Sequence, residues 1–198
     1  MKVAIVANGP TAKGKGDLID ACDYVVRMKA FWEYGATDSG SKLDALCWFG
    51  KTEGWQNAPD LSGVEMWITQ EPRIMLATPE RVRRVVNTSN LGVIRWQTYD
   101  MFYWAGEFIG ASPTTGFSAI NMAIHILHPV ELHLFGFDHV GFDKPNAHDA
   151  RRSLDNEVAT DHDMTSEKHR IADLFRGVWM GEKCETKLIW HEMPDMEG

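Results

Sequence analysis

Three short stretches of the sequence combine residue types that can hold a phosphorylated ligand and move a proton. The first is Asn8-Gly9-Pro10, which ends an apolar run at the N-terminus. An amide side chain and an unencumbered backbone at the end of a strand lie at the carboxyl edge of a sheet, where open α/β sheets bind ligands. The same residues also serve an ordinary strand-to-turn junction. Gly14 and Gly16 extend the loop, but their spacing fits neither GxGxxG nor a P-loop, so the sequence carries no dinucleotide or ATP fingerprint there. The second stretch is Ser112-Pro113-Thr114-Thr115-Gly116, directly before the strongest helical pattern in the chain. Backbone N–H groups, hydroxyls and the positive end of a helix dipole converge at such a turn and suit a phosphate, while a threonine there also caps the helix. The third is Asp161-His162-Asp163-Met164-Thr165-Ser166-Glu167, just ahead of a second helical pattern. A helix N-terminus disfavours a positively charged ring, which leaves His162 neutral and able to accept a proton. Glu167 or Asp163 would orient that ring; the plainer reading is a surface histidine beside a capping aspartate.

The elements that position these residues alternate between short β-branched runs and helical patterns, the signature of an α/β layer fold. Strands are expected at 3–7, 24–27, 45–49, 64–69, 92–95, 131–135 and 187–191. The clearest helix is 117–127, where Ile120, Ala123, Ile124 and Leu127 recur at i, i+3, i+4, i+7 and form one buried stripe, with Ser118, Asn121, His125 and His128 on another face. A second helix is expected at 166–179, with Ile171, Leu174, Phe175 and Val178 at the same spacing. Between Phe137 and Thr165 lies a polar stretch without a period, rich in Asp, Asn and His, which reads as an active-site loop or lid with one helical turn near 150–154. The expected architecture is a single α/β/α sandwich spanning 1–198, with a mostly parallel, Rossmann-like sheet.

Composition narrows the function classes. Lys and Arg total 20 against 28 Asp and Glu, a net charge of -8. Nucleic-acid binding needs a basic face to neutralise phosphates, so it is excluded as a general activity, whereas a small nucleotide pocket needs only a few local donors. Cys22, Cys47 and Cys184 are far apart, odd in number and without zinc-site spacing, which points to reduced thiols and a cytoplasmic setting. The apolar start MKVAIVA is too short for a signal peptide or a membrane span, and no later run reaches spanning length. Trp32, Trp48, Trp55, Trp96 and Trp104 crowd the first half of the chain, where they either pack a core or line a sugar site, with core the stronger expectation.

Taken in order, the pieces NGP, GDLIDACDYVVRMK, YGATDSGSKLDALCW, SPTTGFSAINMAIHILHPVELHLFGFD and HDMTSEKHRIADLF resemble the sialyltransferases over roughly residues 3–175. The likeness is to glycosyltransferase families 42 and 29. The first holds the small bacterial lipooligosaccharide enzymes, with GNGPS, DVFRCN, a Thr-Ser-Gly turn and H-x4-D. The second holds the animal enzymes, with VIRMN, PSTG and H-x4-E, the last met here by His162 and Glu167. The resemblance implies a GT-A-like fold and inverting, metal-independent transfer of a sialic acid or related acid sugar from a CMP-activated donor to a hydroxyl of a glycan or lipooligosaccharide. No cofactor is implied. By the same likeness Asn8, Gly9, Thr114, Thr115 and Gly116 hold the nucleotide, His162 is the general base and His148, with His139 behind it, stabilises the leaving phosphate. Lys29, at the nucleotide site, replaces the Asn that ends DVFRCN and VIRMN; Phe49 replaces another Asn, and Ser112 an Arg.

Two other readings remain open at this stage. Asp161-His162-Asp163 has the form of the DxD of a metal-dependent glycosyltransferase using another nucleotide sugar, with Asp138, His139, Asp143 and Asp149 as further ligands. Alternatively, the altered Lys29 and Phe49 mark a non-catalytic nucleotide-binding protein on the same fold.

Overall fold

The computed structural model describes residues 1–28, 31, 38–48, 59–69, 80, 93–138 and 162–191. Seven strands form one sheet: β1 (Lys2–Val6), β2 (Tyr24–Met28), β3 (Ala45–Trp48), β4 (Glu65–Ile68), β5 (Val93–Trp96), β6 (Glu131–Phe135) and β9 (Lys187–Trp190). Every neighbouring pair is parallel, in the order β5-β4-β3-β2-β1-β6-β9. All seven expected strands are present with ends within a residue or two; positions 49 and 92 of the expected ranges lie outside the described residues. A short antiparallel pair, β7 (Val178–Trp179) and β8 (Glu182–Lys183), stands apart from the sheet.

The central strands are buried on both faces, which is why they read as continuous apolar runs rather than alternating ones. Val3, Ile5, Val26, Met28, Ala45, Cys47, Trp67, Leu132 and Leu134 point to one face and join the largest core cluster. That face is covered by α2 (Tyr99–Ile109) and α3 (Thr115–Leu127), with α4 (Met164–Ala172) also contributing Ile171. Ala4, Val6, Val25 and Phe135 point to the other face and meet Ala12 and Ile19, the latter on α1 (Gly16–Asp20). Leu46, Trp48, Met66 and Ile68 continue that second face toward β5. Among the described residues no helix is long and apolar enough to cross a membrane.

The structure extends the reading of α3 and corrects the second helix. On α3 the face with Ser118 and Asn121 is buried too: residues 116–124 are all buried, because α2 and the β7 strand close over the side away from the sheet. Asn121 is satisfied there, donating to the Met101 carbonyl at 3.2 Å and accepting from Trp179 Nε1 at 3.0 Å. The second helix starts at Met164 and ends at Ala172, followed by a 3-10 turn (Asp173–Arg176), and Gly177 with φ 69° reverses the chain. Ile171 and Leu174 are buried as expected, but the tighter turn swings Phe175 outward to 52% exposure. Of the tryptophans, Trp48 is core, whereas Trp96 and Trp104 are 40% and 64% exposed; Trp32 and Trp55 lie outside the described residues, as does the helical turn expected near 150–154. All three cysteines are unpaired.

A buried cation fastens the turn that follows β2. Arg27 is 1% exposed, yet each branch of its guanidinium is engaged: Nε donates to the Lys42 carbonyl at 2.9 Å, Nη2 to the Ser39 carbonyl at 2.8 Å and Nη1 to Ser39 Oγ at 3.3 Å, with Asp20 Oδ1 at 3.8 Å. A planar fork suits this arrangement and a point-charge ammonium does not. Arg27→Ala is expected to lower the unfolding free energy by about 3 kcal/mol, read from the urea midpoint, and Arg27→Lys to recover less than half of that.

Candidate functional site

The sheet changes winding direction at β1. The strands after it lead away through β2, β3, β4 and β5, and the chain then returns to place β6 on the other side. Adjacent strands whose connections leave in opposite directions open a crevice at their carboxyl ends, the usual ligand position in open α/β sheets. All the described candidate residues converge on that edge.

Asn8 and Gly9 leave the end of β1 and run against the end of β6. Ala7 N–H donates to the Phe135 carbonyl at 2.8 Å and Gly9 N–H to the Gly136 carbonyl at 3.1 Å. A side chain at position 9 would stand 2.2 Å from Asp138 Oδ2 and 2.4 Å from the Gly136 carbonyl, so only glycine permits this approach. The Asp138 carboxylate accepts from both the N–H and the hydroxyl of Thr11, which ties the 3-10 turn Pro10–Ala12 to the segment after β6. Asp138, weighed in the sequence as a metal ligand, is thus a brace for the Asn8 turn. Within that turn Asn8 Oδ1 is buried and without a hydrogen-bond partner, an acceptor that a ligand hydroxyl or amine can satisfy.

The second stretch reaches the same place through Phe137. A Cβ at Gly116 would lie 2.9 Å from the Phe137 ring and 3.6 Å from the end of the Met28 side chain, so the first turn of α3 packs tightly over the ends of β2 and β6. Thr114 caps α3, its hydroxyl accepting from Phe117 N–H at 3.2 Å. Both of its donors, however, are spent on Glu167: N–H to Oε1 at 2.6 Å and the hydroxyl to Oε2 at 2.7 Å. Thr114 therefore shapes the turn and has no proton left to offer a phosphate. Thr115 differs: among the described residues its hydroxyl has no partner, and the N–H groups of Thr115 and Gly116 have no acceptor.

The third stretch closes the site. His162 precedes Asp163, the N-cap of α4. Its Nδ1 lies 2.7 Å from the Ser112 carbonyl. A carbonyl can only accept, so Nδ1 carries the proton and the lone pair of the neutral ring resides on Nε2. This corrects the expectation that Glu167 or Asp163 orients the ring. Both Glu167 oxygens are committed to Thr114, and both Asp163 oxygens to Ser166, at 2.9 Å to its N–H and 2.7 Å to its hydroxyl. The orienting group is a main-chain carbonyl, which no side-chain pattern reveals. The one feature that could have marked it is that Ser112 opens the stretch already singled out.

His148, Lys29, Phe49, His139, Asp143, Asp149 and Asp161 lie outside the described residues, as does most of the expected lid. Among the described residues no cluster of three His, Cys, Asp or Glu side chains is placed to hold a metal. Gln97, directly after β5 and four strands from β1, is also 1% exposed with neither polar atom of its carboxamide hydrogen-bonded. Nothing in its neighbours in sequence distinguishes it.

A parallel seven-stranded sheet flanked by helices matches the GT-A-like fold of sialyltransferases. A mammalian sialyltransferase solved with Gal-β-1-3GalNAc-ortho-nitrophenol superposes with a TM-score of 0.55 over 98% of this chain and 70% of its own, at 17% identity. The sialyltransferase CstII from Campylobacter jejuni, solved with the substrate analogue cytidine-5'-monophosphate, gives a TM-score of 0.58 over 96% of this chain and 79% of its own, again at 17% identity. CstII solved with a trisaccharide acceptor and CMP gives 0.53 over 96% and 81%, at 16% identity. No protein-family model matches the sequence, and no curated protein does. At such identities the likeness is one of fold.

Glu167 is 1% exposed, and burial pushes its carboxyl from the ordinary 4.5 up to about 7, against the opposing effect of the two Thr114 hydrogen bonds. A carboxyl whose folded value is raised binds protons more readily folded than unfolded. Its contribution is whole below about 4.5 and is lost as the pH climbs to about 7. Replacing it by the uncharged isostere removes that dependence. The stability difference between wild type and Glu167→Gln is therefore expected to move by about 3 kcal/mol in favour of wild type as the pH is lowered from about 7.5 to 4.5, measured by urea unfolding. A difference that stays constant with pH would show that burial does not favour the neutral acid at Glu167.

Proposed function

We propose that this chain is a sialyltransferase-like glycosyltransferase that moves a sialic acid or related acid sugar from a CMP-activated donor to a glycan hydroxyl with inversion. The observation that carries the reading is the His162 ring, fixed through Nδ1 to the Ser112 carbonyl with its basic Nε2 left over, at the edge where the two nucleotide-type turns meet. The fold likeness to enzymes solved with CMP and with a trisaccharide acceptor supports the same assignment.

In this mechanism the acceptor hydroxyl attacks the anomeric carbon, the bond from that carbon to the phosphate oxygen breaks, and CMP departs with the bonding pair. His162 Nε2 takes the hydroxyl proton. Thr115, with its free hydroxyl, and the N–H groups at the start of α3 receive the phosphate, where aligned peptide dipoles favour negative charge. The unpaired Oδ1 of Asn8 is an acceptor, which fits a ribose hydroxyl better than a phosphate oxygen. Thr114, Glu167 and Asp138 are positioning residues. His148 is the proposed second stabiliser of the leaving phosphate, and Lys29 a further nucleotide contact, on the sequence resemblance alone. The DxD reading is the weaker one because Asp163 spends both oxygens capping α4, so transfer is proposed to need no metal. Three unpaired thiols suit a reducing compartment, and the cytoplasm is the proposed location.

CMP is expected to raise the melting temperature more than UMP, GMP or AMP, since a ligand of the native state shifts apparent stability; a preference for UDP or GDP would overturn the donor assignment. His162→Ala is expected to slow transfer by about 10²–10⁴-fold while leaving the CMP-induced shift intact, because the base touches the acceptor and not the nucleotide. Thr115→Val should do the reverse, weakening CMP roughly tenfold through loss of one hydrogen bond to a charged group. Chelator should leave turnover unchanged. Near wild-type transfer by His162→Ala would refute the mechanism, and CMP binding without transfer to any acceptor would favour a non-catalytic nucleotide-binding protein.

A further inference from the structure

Glu167 holds Thr114 by two hydrogen bonds that respond differently to a proton. The Thr114 N–H donates to Oε1 at 2.6 Å and has no other role to take. Between the Thr114 hydroxyl and Oε2, 2.7 Å apart, an ionised carboxylate leaves one proton, and it belongs to the threonine. A protonated carboxyl reverses this second bond. Its proton cannot face the N–H at Oε1, so it sits on Oε2 and points at Thr114 Oγ. That oxygen already accepts from Phe117 N–H at 3.2 Å, and its remaining lone pair takes the new proton. The threonine's own hydrogen must then swing off the line between the two oxygens. The helix cap and the contact with Glu167 both survive, and Thr114 gains a donor that the ionised carboxylate denies it. The Thr115 hydroxyl and the N–H groups of Thr115 and Gly116 follow directly at the start of α3.

Both protonation states are within reach near neutral pH, because burial pushes the Glu167 carboxyl up to about 7, with Asp163 adding to the rise against the two Thr114 hydrogen bonds. The elements around it bring few other charges among the described residues. Helix α3 has one ionisable side chain, His125, in its last turn. Helix α2 brings Asp100 and Glu107, both exposed. His162 is held at the Ser112 carbonyl, and along α4 Lys168 and His169 precede Arg170, which turns onto the Phe108 carbonyl and ring. Of these charges only Asp163 acts appreciably on Glu167. A phosphate arriving at the start of α3 adds a second negative charge, which favours the neutral acid further. Resting on the reading of this turn as the phosphate site, we propose that Glu167 couples proton uptake to nucleotide binding: a proton from solvent moves to Glu167 Oε2, and the Thr114 hydroxyl it releases donates to the bound phosphate. The proton returns to solvent when the phosphate leaves. Glu167 is a positioning residue in this scheme and acts through Thr114. The complex binds more protons than the free protein, so CMP affinity falls as the pH rises above about 7.

Glu167→Gln carries the protonated pattern permanently, its carboxamide oxygen accepting from Thr114 N–H and its NH2 donating to Thr114 Oγ. The test is isothermal titration with CMP at pH 7, 8 and 9, run at pH 8 in two buffers of different ionisation enthalpy to count protons. CMP is already a dianion at pH 8, since its second phosphate pKa is about 6, and brings no proton of its own. Wild type is expected to lose about fivefold in CMP affinity between pH 7 and 9, and to take up about 0.4 of a proton per CMP at pH 8. Glu167→Gln should show neither effect and bind CMP more tightly than wild type at pH 9. His162→Ala should keep the wild-type uptake, and neither it nor wild type depends on Glu167→Gln folding. Uptake lost in His162→Ala would assign the proton to the ring and overturn the proposal, as would equal uptake by Glu167→Gln and wild type. CMP binding by wild type without proton uptake would overturn the coupling alone. No CMP binding by any of the three proteins would overturn the nucleotide site and the coupling with it.

Discussion

The carboxylate of Glu167 is buried with no cation paired to it among the described residues, and the N–H and hydroxyl of Thr114 are what hold it. Taking a charge out of water without a counter-ion is costly, so this pair of hydrogen bonds is tightly constrained in geometry. Much of the site follows from it. The bond fixes the turn at 112–114 against the start of α4, which brings the Ser112 carbonyl to His162 and sets the direction in which α3 enters the core. The first turn of α3 then packs on Phe137, and Asp138, the next residue, braces the Asn8 turn through Thr11. A chain of contacts runs from α4 to the end of β1, and a disturbance at Glu167 is felt along all of it.

The sheet was legible in the sequence because each strand is a short β-branched or aromatic run closed by a turn residue, and parallel strands buried on both faces leave no competing pattern. The helices were less so, for identifiable reasons. In α2 the segment YDMFYWAGEFI places Tyr99, Tyr103 and Trp104 on its exposed side, so residue type alone does not say which side meets the core. Helix α1 has five residues, too few to show a period. For α3 the stripe was read correctly and Ser118 and Asn121 were placed on another face, but what that face meets was not legible. Asn121 is buried because Met101 and Trp179 supply its partners, and those come from elements 20 and 58 residues away. Local sequence cannot report a hydrogen bond made at that separation.

The site divides along the same line. Side chains proposed to act by their own chemistry, His162, Thr115 and Asn8, can be picked out by type and position. Those that act by holding another group cannot. Thr114 and Glu167 were both visible as polar residues beside a site, yet their assigned roles changed once their donors and acceptors were counted. A threonine with both protons committed cannot donate to a phosphate, and the ring nitrogen that Glu167 was expected to steer is already held by the Ser112 carbonyl. The orienting group of His162 is a backbone carbonyl, identical in kind at every residue of the chain.

A buried polar atom without a partner is not by itself a mark of function, since Ser118 Oγ lacks one in the interior of α3, away from any edge. The sheet edge at β1 and β6 is different because several unfavourable features coincide there. Gly9 is pressed against Asp138 where no side chain fits, Asn8 Oδ1 is left unbonded, and burial holds the Glu167 carboxyl above its ordinary value. Arg27, as deeply buried, has each branch of its guanidinium engaged, whereas Gln97 and Ser118 carry unbonded polar atoms away from β1 and β6. What sets the β1–β6 edge apart is the combination: a glycine where no side chain fits stands beside an unbonded acceptor, at the edge where open α/β sheets take ligands.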